Sequence, residues 1–369
     1  MAFHASRKLE EKRGTANMTI GHSSPHPKTK PPSCFRQVQI RSGSKKPQKP
    51  QDFECPGLDC GIRFVKDTSF ETMMRSDAVV LFHLSSWNWD EMQRRRPSKQ
   101  VWVFFTRESP RHTGVNAIPP NVYDYVYNYT MTYRPSSSIS IPYGVYDSNQ
   151  PQVIPDDARD WAKEKTGMVV WMASNCHLSS WDRFGFVKEL SRLIPVDIYG
   201  TCGKLICNRS SDDCWNRIRT YKFYLALENS ECRDYITEKF WENSLQHDVV
   251  PIVYGAPKED YLQVAPPKSF IHLQDFNSMV DLVDYLNLLN SNDTLYNSYF
   301  EWKRYGTIPM TLRREGVLSP PFLCKIVAKI RKYENDSFDG KHRKGETNPS
   351  IKNWWSNSCV HSHGFPHDF

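Results

Sequence analysis

Short runs of consecutive apolar residues constrain the fold of this chain more than any other feature. Four of them are DAVVLFHL from Asp77, QVWVFFT from Gln100, GMVVWMAS from Gly167 and FYLALE from Phe223. These runs do not alternate between apolar and polar residues, which is typical of strands that are covered on both faces. The sequence therefore predicts an α/β fold built from layers of strands and helices.

Helical periodicity between the apolar runs supports this prediction. In SSWDRFGFVKELSRLI, Phe186, Val187 and Leu190 follow the spacing of one helix face, and Ser180 is the predicted N-terminal cap. The next segment, PVDIYG, reads as a strand. Strand, helix and strand over this length form one βαβ unit.

The following segments continue the same alternation. DYITEKFWENSLQ predicts a helix that begins near Tyr235 and is capped by Asp234. DVVPIVYG predicts a strand despite Pro251, and SMVDLVDYLNLLN from Ser278 predicts an amphipathic helix.

The length of 369 residues exceeds the usual size of a single core, so two domains are expected. Residues 1–51 are rich in Pro, Ser and Lys and predict a disordered tail. The polar, proline-bearing segment 147–166 is the predicted domain boundary. We therefore predict an N-terminal α/β domain at 52–155, a C-terminal α/β domain at 156–333 and a C-terminal tail at 334–369.

The formal net charge of +7 is concentrated at the N-terminus. Residues 1–50 hold 11 Lys and Arg against 2 Asp and Glu, which leaves 37 against 39 in the rest of the chain. The body is thus nearly neutral, and a nucleic-acid partner is not expected. The sequence also shows no run that reads as a membrane-spanning segment or a signal peptide.

The cysteines and glycosylation sequons indicate an oxidising compartment. There are ten cysteines, and N-x-S/T sequons occur at Asn17, Asn128, Asn208, Asn292 and Asn335. Cys202, Cys207, Cys214 and Cys232 form a local cluster whose spacing favours disulfides over zinc, because paired C-x2-C motifs are missing. Cys55 and Cys60 are predicted to form a second local pair.

The stretch YKFYLALENSECRDYITEKFW carries an unusual number of polar residues for a core segment. At helical spacing, Tyr235, Glu238 and Lys239 share one face at the carboxyl end of a predicted strand, where α/β domains bind ligands. A nucleotide sugar would use Lys239 for a diphosphate and Glu238 for ribose hydroxyls. The alternative is an exposed helix face with a Glu–Lys pair, and periodicity alone favours that alternative.

Several motifs carry a resemblance to a known family. They are AVVLFH, QVWVFFTRESPRHT, YNYTMTYRPSSSISIPYGVY, VVWMASN, RFGFVKEL, VDIYG, YKFYLALENS, DYITEKFW, VVPIVYG, SFIHLQDF and LYNSYFEWKRY. In this order they resemble the α1,3-fucosyltransferases of glycosyltransferase family 10, over residues 52–333. One departure is YRPSSSIS, which stands where the family has an acidic residue after YRRDS.

This resemblance implies a glycosyltransferase B fold, in which two Rossmann-like domains face a central cleft and the C-terminal domain binds GDP-fucose. It implies that Glu108 is the catalytic base, that Arg183 and Lys239 bind the donor diphosphate, and that Glu238 binds the ribose. The other positions predicted to contact the donor are Asn175, Glu228, Asn229 and Tyr235.

The implied activity is inverting transfer of L-fucose from GDP-fucose to a GlcNAc hydroxyl of N-glycans or related glycoconjugates. No DxD-like motif follows a predicted strand, so no metal site and no required cofactor are expected, and a divalent cation would at most stimulate. The alternative is a catalytically silent glycan-binding protein with the same fold. The family is mostly anchored in the Golgi membrane, and association with a membrane would need an N-terminal anchor that this sequence does not show. The acceptor glycan stays open, because the loops that select it cannot be decoded from sequence.

Overall fold

The continuous apolar runs form strands in the structure, a computed structural model that describes residues 34–41, 49–82, 88–113, 126–150, 159–311, 320–338 and 351–359. In chain order the strands are β1 Cys34–Arg41, β2 Gln51–Phe53, β3 Cys60–Lys66, β4 Ala78–Phe82, β5 Val101–Phe105, β6 Tyr129–Thr132, β7 Ile139–Ser140, β8 Gly144–Asp147, β9 Gly167–Met172, β10 Val196–Tyr199, β11 Tyr221–Leu227, β12 Val250–Tyr254, β13 Ile271–His272 and β14 Thr307–Thr311.

The helices alternate with these strands. They are α1 Phe70–Arg75, α2 Trp89–Arg95, α3 Arg183–Leu193, α4 Asp212–Arg219, α5 Glu238–Trp241, α6 Lys258–Val264, α7 Met279–Ser291, α8 Asp293–Asn297 and α9 Pro320–Phe338. Short 3-10 turns and one π-helical turn complete the described part, at Pro110–His112, Leu245–His247, Leu273–Asp275, Ser298–Arg304 and Lys352–Ser356.

Within the described residues the strands form two main sheets. The first contains seven strands in the order β2-β3-β1-β4-β5-β6-β7, and all neighbours are parallel except β2 and β3. The second contains five parallel strands in the order β10-β9-β11-β12-β13. In addition, β8 and β14 form a small antiparallel ribbon. The predicted α/β class is confirmed.

The central strands are buried on both faces, as their composition predicts. Every residue of β5, β11 and β12 is buried. Pro251 stands opposite Tyr224 in the ladder with β11, whereas β13 pairs only with Ile252 and Val253, so Pro251 lies outside the ladder with β13. Most of the stability of such strands comes from covering their apolar side chains, about 1.5–3 kcal/mol for each large one.

The predicted N-terminal and C-terminal tails are wrong in part. Cys34–Arg41 is β1, which lies between β3 and β4 because VQIR supplies buried side chains. At the other end, α9 continues to Phe338, and Trp355 is completely buried. The rest of the predicted N-terminal tail up to 48, including the sequon at Asn17, and the segment 151–158 of the predicted domain boundary lie outside the described residues.

Two predicted helix caps are also wrong. Helix α3, which follows β9, is capped by Asp182 rather than Ser180, since the Asp182 carboxylate accepts the Gly185 N–H at 2.9 Å. The helix predicted to begin near Tyr235 begins at Glu238 and is capped by Thr237. Asp234 instead adopts a left-handed backbone conformation with φ 62°, and its N–H donates to the buried carboxylate of Asp260 at 2.6 Å.

All ten cysteines are paired in disulfides, as the sequence predicts in general. The pairs are Cys34–Cys60, Cys55–Cys324, Cys176–Cys202, Cys207–Cys214 and Cys232–Cys359. The predicted pair Cys55–Cys60 is wrong, because the register of β1 on β3 places Cys34 opposite Cys60. Cys55 is left to bond with Cys324 on α9.

No helix in the described part of the chain is both long and apolar enough to span a membrane.

Candidate active site

A polar cavity of about 220 Å³ opens at the carboxyl ends of β9 and β11. These ends are adjacent because the two strands pair directly in parallel, and ligands of open α/β sheets bind at such ends. The cavity is lined by Glu108, Tyr143, Trp171, Met172, Ala173, Ser174, Asn175, Arg183, Arg209, Leu227, Asn229, Tyr235, Glu238, Lys239 and Asn243.

Glu108 reaches this cavity from the first sheet. It follows β5, and its N–H donates to the side-chain oxygen of Thr106 at 3.1 Å, which fixes the turn after the strand. The next residue, Ser109, is joined to Ser230 by a fully buried hydroxyl–hydroxyl hydrogen bond of 2.7 Å. The loop of the first sheet is therefore tied to the loop that follows β11.

The carboxylate of Glu108 is exposed on the cavity wall and is hydrogen-bonded to a tyrosine across the cavity. The Tyr235 hydroxyl donates to Glu108 Oε2 at 3.3 Å, and Tyr235 itself is almost fully buried. Burial raises the pKa of Tyr235 well above its ordinary value, helped by the charges of Glu108, Glu228 and Glu238. Tyr235 therefore stays a neutral hydrogen-bond donor that orients the carboxylate of Glu108.

Arg183 is a buried cation at the first residue of α3. Its guanidinium donates to the backbone oxygen of Leu227 at 3.1 Å and to that of Asn175 at 2.5 Å. Its Nε has no hydrogen-bond partner among the described residues, although Arg183 is only 3% exposed. Burial lowers the pKa of Arg183, and the negative charge of Glu228 opposes that effect. The side chain is held rigidly on the wall with donor capacity left for a ligand.

Lys239 lies between two carboxylates. Its Nζ is 2.9 Å from Glu228 Oε2, 3.2 Å from Glu238 Oε1 and 2.7 Å from the hydroxyl of Thr237. Burial alone would lower the pKa of Lys239, but Glu228 and then Glu238 raise it above its ordinary value. Lys239 is therefore a fixed positive charge.

Glu228 and Glu238 have different positions around this lysine. Glu228 is completely buried, does not line the cavity, and accepts the Thr237 N–H at 2.8 Å. Glu238 is on the wall; burial would raise its pKa, but Lys239 holds the pKa below the ordinary value. Glu238 can thus offer an ionised carboxylate to hydroxyl donors, whereas Glu228 stabilises the lysine from beneath.

The two asparagines predicted to contact the donor lie on the wall but are partly engaged. The side-chain amide of Asn175 exchanges hydrogen bonds with the backbone of Leu178, at 2.9 and 2.8 Å. Asn175 therefore shapes its own loop and supports Arg183 through its carbonyl oxygen. Asn229 is half-buried, and its side-chain oxygen accepts from the Ser230 hydroxyl at 3.1 Å.

The structure thus brings the predicted site residues to one cavity wall, except Glu228, which is buried behind Lys239 and does not line the cavity. A second difference concerns Tyr235. Tyr235 precedes α5 rather than sharing its face with Glu238 and Lys239, yet all three line the cavity. Sequence reasoning missed eight wall residues, of which the polar ones are Tyr143, Ser174, Arg209 and Asn243. Only Arg209 had a usable signal, since it lies within the short Cys207–Cys214 spacing.

Among the described residues, no group of three or more His, Cys, Asp or Glu side chains is arranged to hold a metal ion.

Comparison with solved structures defines the class of the fold. A crystal structure of an α1,3-fucosyltransferase with GDP-fucose superposes with a TM-score of 0.51, covering 84% of this chain and 94% of that chain at 16% identity. A second α1,3-fucosyltransferase crystal structure gives a TM-score of 0.52 at 17% identity, covering 89% and 95%. At this identity the likeness establishes a shared α/β fold.

Sequence comparison establishes the family. The model of the fucosyltransferase N-terminal domain matches residues 44–144, and that of the glycosyltransferase family 10 (fucosyltransferase) C-terminal domain matches residues 162–354. The chain belongs to glycosyltransferase family 10.

The curated relatives are named fucosyltransferases. Glycoprotein 3-alpha-L-fucosyltransferase A of Drosophila melanogaster is 39% identical over 82% of this chain and 55% of its own length. The alpha-(1,3)-fucosyltransferase fut-1 of Caenorhabditis elegans is 33% identical over 74% of this chain and 60% of its own length. A human 4-galactosyl-N-acetylglucosaminide 3-alpha-L-fucosyltransferase is 35% identical, covering 75% and 70%. The chain spans between about half and 70% of the length of these relatives.

Proposed function

We propose that this chain transfers L-fucose from GDP-fucose to a hydroxyl of N-acetylglucosamine in N-glycans or related glycoconjugates, with inversion at the fucose carbon. The observation that carries the proposal is the convergence of Glu108 from one sheet with Arg183 and Lys239 from the other on one cavity. A carboxylate facing two cations is what a sugar transfer with an anionic leaving group needs. The named activities of the family relatives support the same reaction.

In the proposed reaction Glu108 is the general base. Its carboxylate accepts the proton of the acceptor hydroxyl as the hydroxyl oxygen bonds to the anomeric carbon of fucose. The bond between that carbon and the phosphate oxygen breaks, and GDP leaves with the electron pair. Because the donor is β-linked, a single displacement gives an α-linked product. Tyr235 keeps the carboxylate oriented during this step.

The cations stabilise the leaving group. Arg183 is positioned by two carbonyl oxygens and Lys239 by two carboxylates, so neither has to reorganise as charge develops on the diphosphate. Glu238 is proposed to accept from ribose hydroxyls, and Asn175, Asn229 and Tyr235 complete the donor wall. Glu228 is proposed to act indirectly, by holding Lys239.

A Golgi location and a glycoprotein or glycolipid acceptor are part of the same proposal. Ten disulfide-bonded cysteines are expected in an oxidising lumen. The sequons fit this setting at Asn208, Asn292 and Asn335, which the structure leaves exposed. Asn128 differs, because its side-chain oxygen accepts from the Trp102 N–H at 2.8 Å within the first sheet.

The test is a transfer assay with GDP-fucose and a panel of glycans that present either core or antennary N-acetylglucosamine. We expect GDP release that depends on the acceptor, and a product with an α-linked fucose by NMR. We also expect activity to survive EDTA, since two protein cations already face the diphosphate. Binding of a glycan without transfer of fucose would favour the alternative of a catalytically silent glycan-binding protein. A complete loss of activity in EDTA that Mn²⁺ or Mg²⁺ restores would require a metal in the mechanism.

A further inference from the structure

We propose that Arg209 is a third cation of the donor site, that it contacts the diphosphate of the bound nucleotide sugar, and that the Cys207–Cys214 disulfide loop holds it there. This inference rests on the proposed function and assigns a further residue to its donor site.

The first support is position. Arg209 is an exposed residue of the loop before α4, yet it lines the same cavity as Arg183 and Lys239. Its Nε is 3.1 Å from the Sδ of Met172, the last residue of β9. The guanidinium is therefore laid against the carboxyl end of a central strand, where anionic ligands of parallel sheets bind.

The second support is the charge of the wall. Apart from Arg209, the charged side chains on the wall are Glu108 and Glu238 against Arg183 and Lys239, which balance. Arg209 gives the wall a net positive charge and offsets the buried carboxylate of Glu228 behind Lys239. An anionic diphosphate would otherwise enter a cavity with no net attraction for it, and guanidinium is the group best matched to phosphate oxygens.

The third support is the way the loop is fixed. The disulfide Cys207–Cys214 closes the loop on both sides of Arg209. The indole of Trp215 donates to the carbonyl oxygen of Arg209 at 2.9 Å, and that indole is stacked on His247 with ring centroids 4.5 Å apart. A surface arginine on an unconstrained loop would lose more conformational entropy on binding a ligand. In this loop the disulfide and the Trp215 hydrogen bond fix the backbone of Arg209 before a ligand binds.

The charge of Arg209 also acts within the site. Tyr224 is completely buried, and its hydroxyl accepts from the side-chain amide of the wall residue Asn243 at 3.0 Å. Burial raises the pKa of Tyr224 to about 12, while Asn243 and the charges of Arg209 and Lys239 act in the opposite direction. Arg209 and Lys239 thus act on the same buried group, as expected if they share one ligand site.

The experiment compares nucleotide binding of Arg209→Gln with that of a matched control, Arg217→Gln. Arg217 is an exposed arginine on α4 outside the cavity wall. Calorimetric titration with GDP, GMP and guanosine should show that Arg209→Gln binds GDP roughly tenfold more weakly than the wild type, as expected when a charge-assisted contact is lost. The loss should be smaller for GMP and absent for guanosine. Arg209→Lys should recover part of the GDP affinity, and Arg217→Gln should match the wild type.

A second comparison tests the disulfide. Cys207→Ser with Cys214→Ser should weaken GDP binding, and adding Arg209→Gln should cause little further loss, because both changes remove one interaction. Circular dichroism at the titration temperature establishes that each variant is folded.

Equal GDP affinities of Arg209→Gln and wild type would overturn the inference and leave the proposed function intact. Equal losses of affinity for GDP and for guanosine in Arg209→Gln would also overturn it, because Arg209 would then contact the nucleoside rather than the diphosphate. If the losses of GDP affinity caused by the double cysteine replacement and by Arg209→Gln were additive, the disulfide would not be what holds Arg209 in the site. If the wild type itself bound no GDP, the proposed function and this inference would both fall.

Discussion

The charge state of Lys239 is set by its neighbours before any ligand arrives. Two carboxylates lie within 3.2 Å of its Nζ, and one of them, Glu228, is completely buried. This arrangement keeps the ammonium protonated and immobile, which suits stabilisation of a departing diphosphate. It also means that removing the lysine leaves a buried carboxylate without its counter-ion, which costs about 3–5 kcal/mol.

Lys239 should therefore be tested in a background that relieves this burial cost. We expect Glu228→Gln with Lys239→Gln to bind GDP roughly ten- to a hundredfold more weakly than Glu228→Gln alone, since a charge-assisted phosphate contact is lost. Calorimetry on the folded proteins measures this difference.

Lys222 provides the control, because it belongs to the same polar stretch but donates to the carbonyl oxygen of Asn290 at 2.8 Å and does not line the cavity. Lys222→Gln should leave GDP affinity unchanged. An effect at Lys222 equal to that at Lys239 would remove Lys239 from the donor site.

At the scale of helices and strands, the parallel sheets create the site by bringing strand ends together. Met172 ends β9 and residues 173–175 follow it, while Leu227 ends β11 and Asn229 follows it. Because β9 and β11 pair directly, these residues form one wall of the cavity. Glu108 comes from the end of β5 in the other sheet and is joined to this wall through the Ser109–Ser230 hydrogen bond. The site is thus a product of topology, and no single helix carries it.

The strands were predictable from sequence because burial on both faces leaves a continuous apolar run, as in β5 and β11. Local turn geometry was not, since it depends on distant partners. Asp234 looked like a helix cap, but its carboxylate pairs with Arg134 at 2.9 Å and its backbone turns left-handed. The charged site residues were predicted by the family resemblance, whereas no role was predicted for Tyr143, although it lies in the motif YNYTMTYRPSSSISIPYGVY, or for Asn243.

The edge of the second sheet should weaken in acid because of His272. This buried residue of β13 accepts the Gln274 N–H on Nδ1 at 3.1 Å and donates from Nε2 to Ala256 at 3.3 Å. Burial lowers the pKa of His272 to about 4, while Asp275, Lys258 and Glu259 act on it more weakly. The unfolded chain therefore takes up the proton near pH 6.5 and the folded chain only near pH 4.

The free energy of unfolding should accordingly fall as the pH drops from about 6.5 to about 4, by roughly 3 kcal/mol from this residue. In His272→Asn, which keeps an acceptor near Nδ1, this part of the pH dependence should disappear. Urea denaturation at pH 7 and pH 4.5 measures it, with the exposed His177→Asn as control. The same acid loss in His272→Asn and wild type would contradict the assignment.

At the scale of the whole molecule, the C-terminal part of the chain returns to the first sheet. Helix α9 is joined to it by the Cys55–Cys324 disulfide and by the Arg36–Glu334 ion pair at 2.7 Å. Residues 351–359 then bridge the two sheets: Cys359 bonds to Cys232, and Trp355 packs against Phe104. The closing segment therefore supports the surroundings of the cavity from outside it.

Trp355 is the anchor of that segment. It is completely buried, its ring lies 5.4 Å from that of Tyr133, and its indole donates to the hydroxyl of Thr113 at 3.1 Å. Trp355→Ala should lower the free energy of unfolding by about 3–5 kcal/mol, as other large buried truncations do. Trp354→Ala, on the half-buried neighbour, should cost about 1 kcal/mol. Chemical denaturation compares the two variants, and equal losses would mean that Trp355 does not anchor the segment.

The account depends above all on Glu108 as the base of a sugar transfer. Glu108→Gln keeps the shape of the side chain and the partner Tyr235 but cannot accept the proton of an acceptor hydroxyl. The most direct measurement is fucose transfer from GDP-fucose to the best glycan of the panel by wild type and Glu108→Gln, with GDP affinity measured on the same samples. We predict an α-linked product from the wild type, no detectable transfer by Glu108→Gln, and equal GDP affinity. Transfer by Glu108→Gln at the wild-type rate would contradict the account.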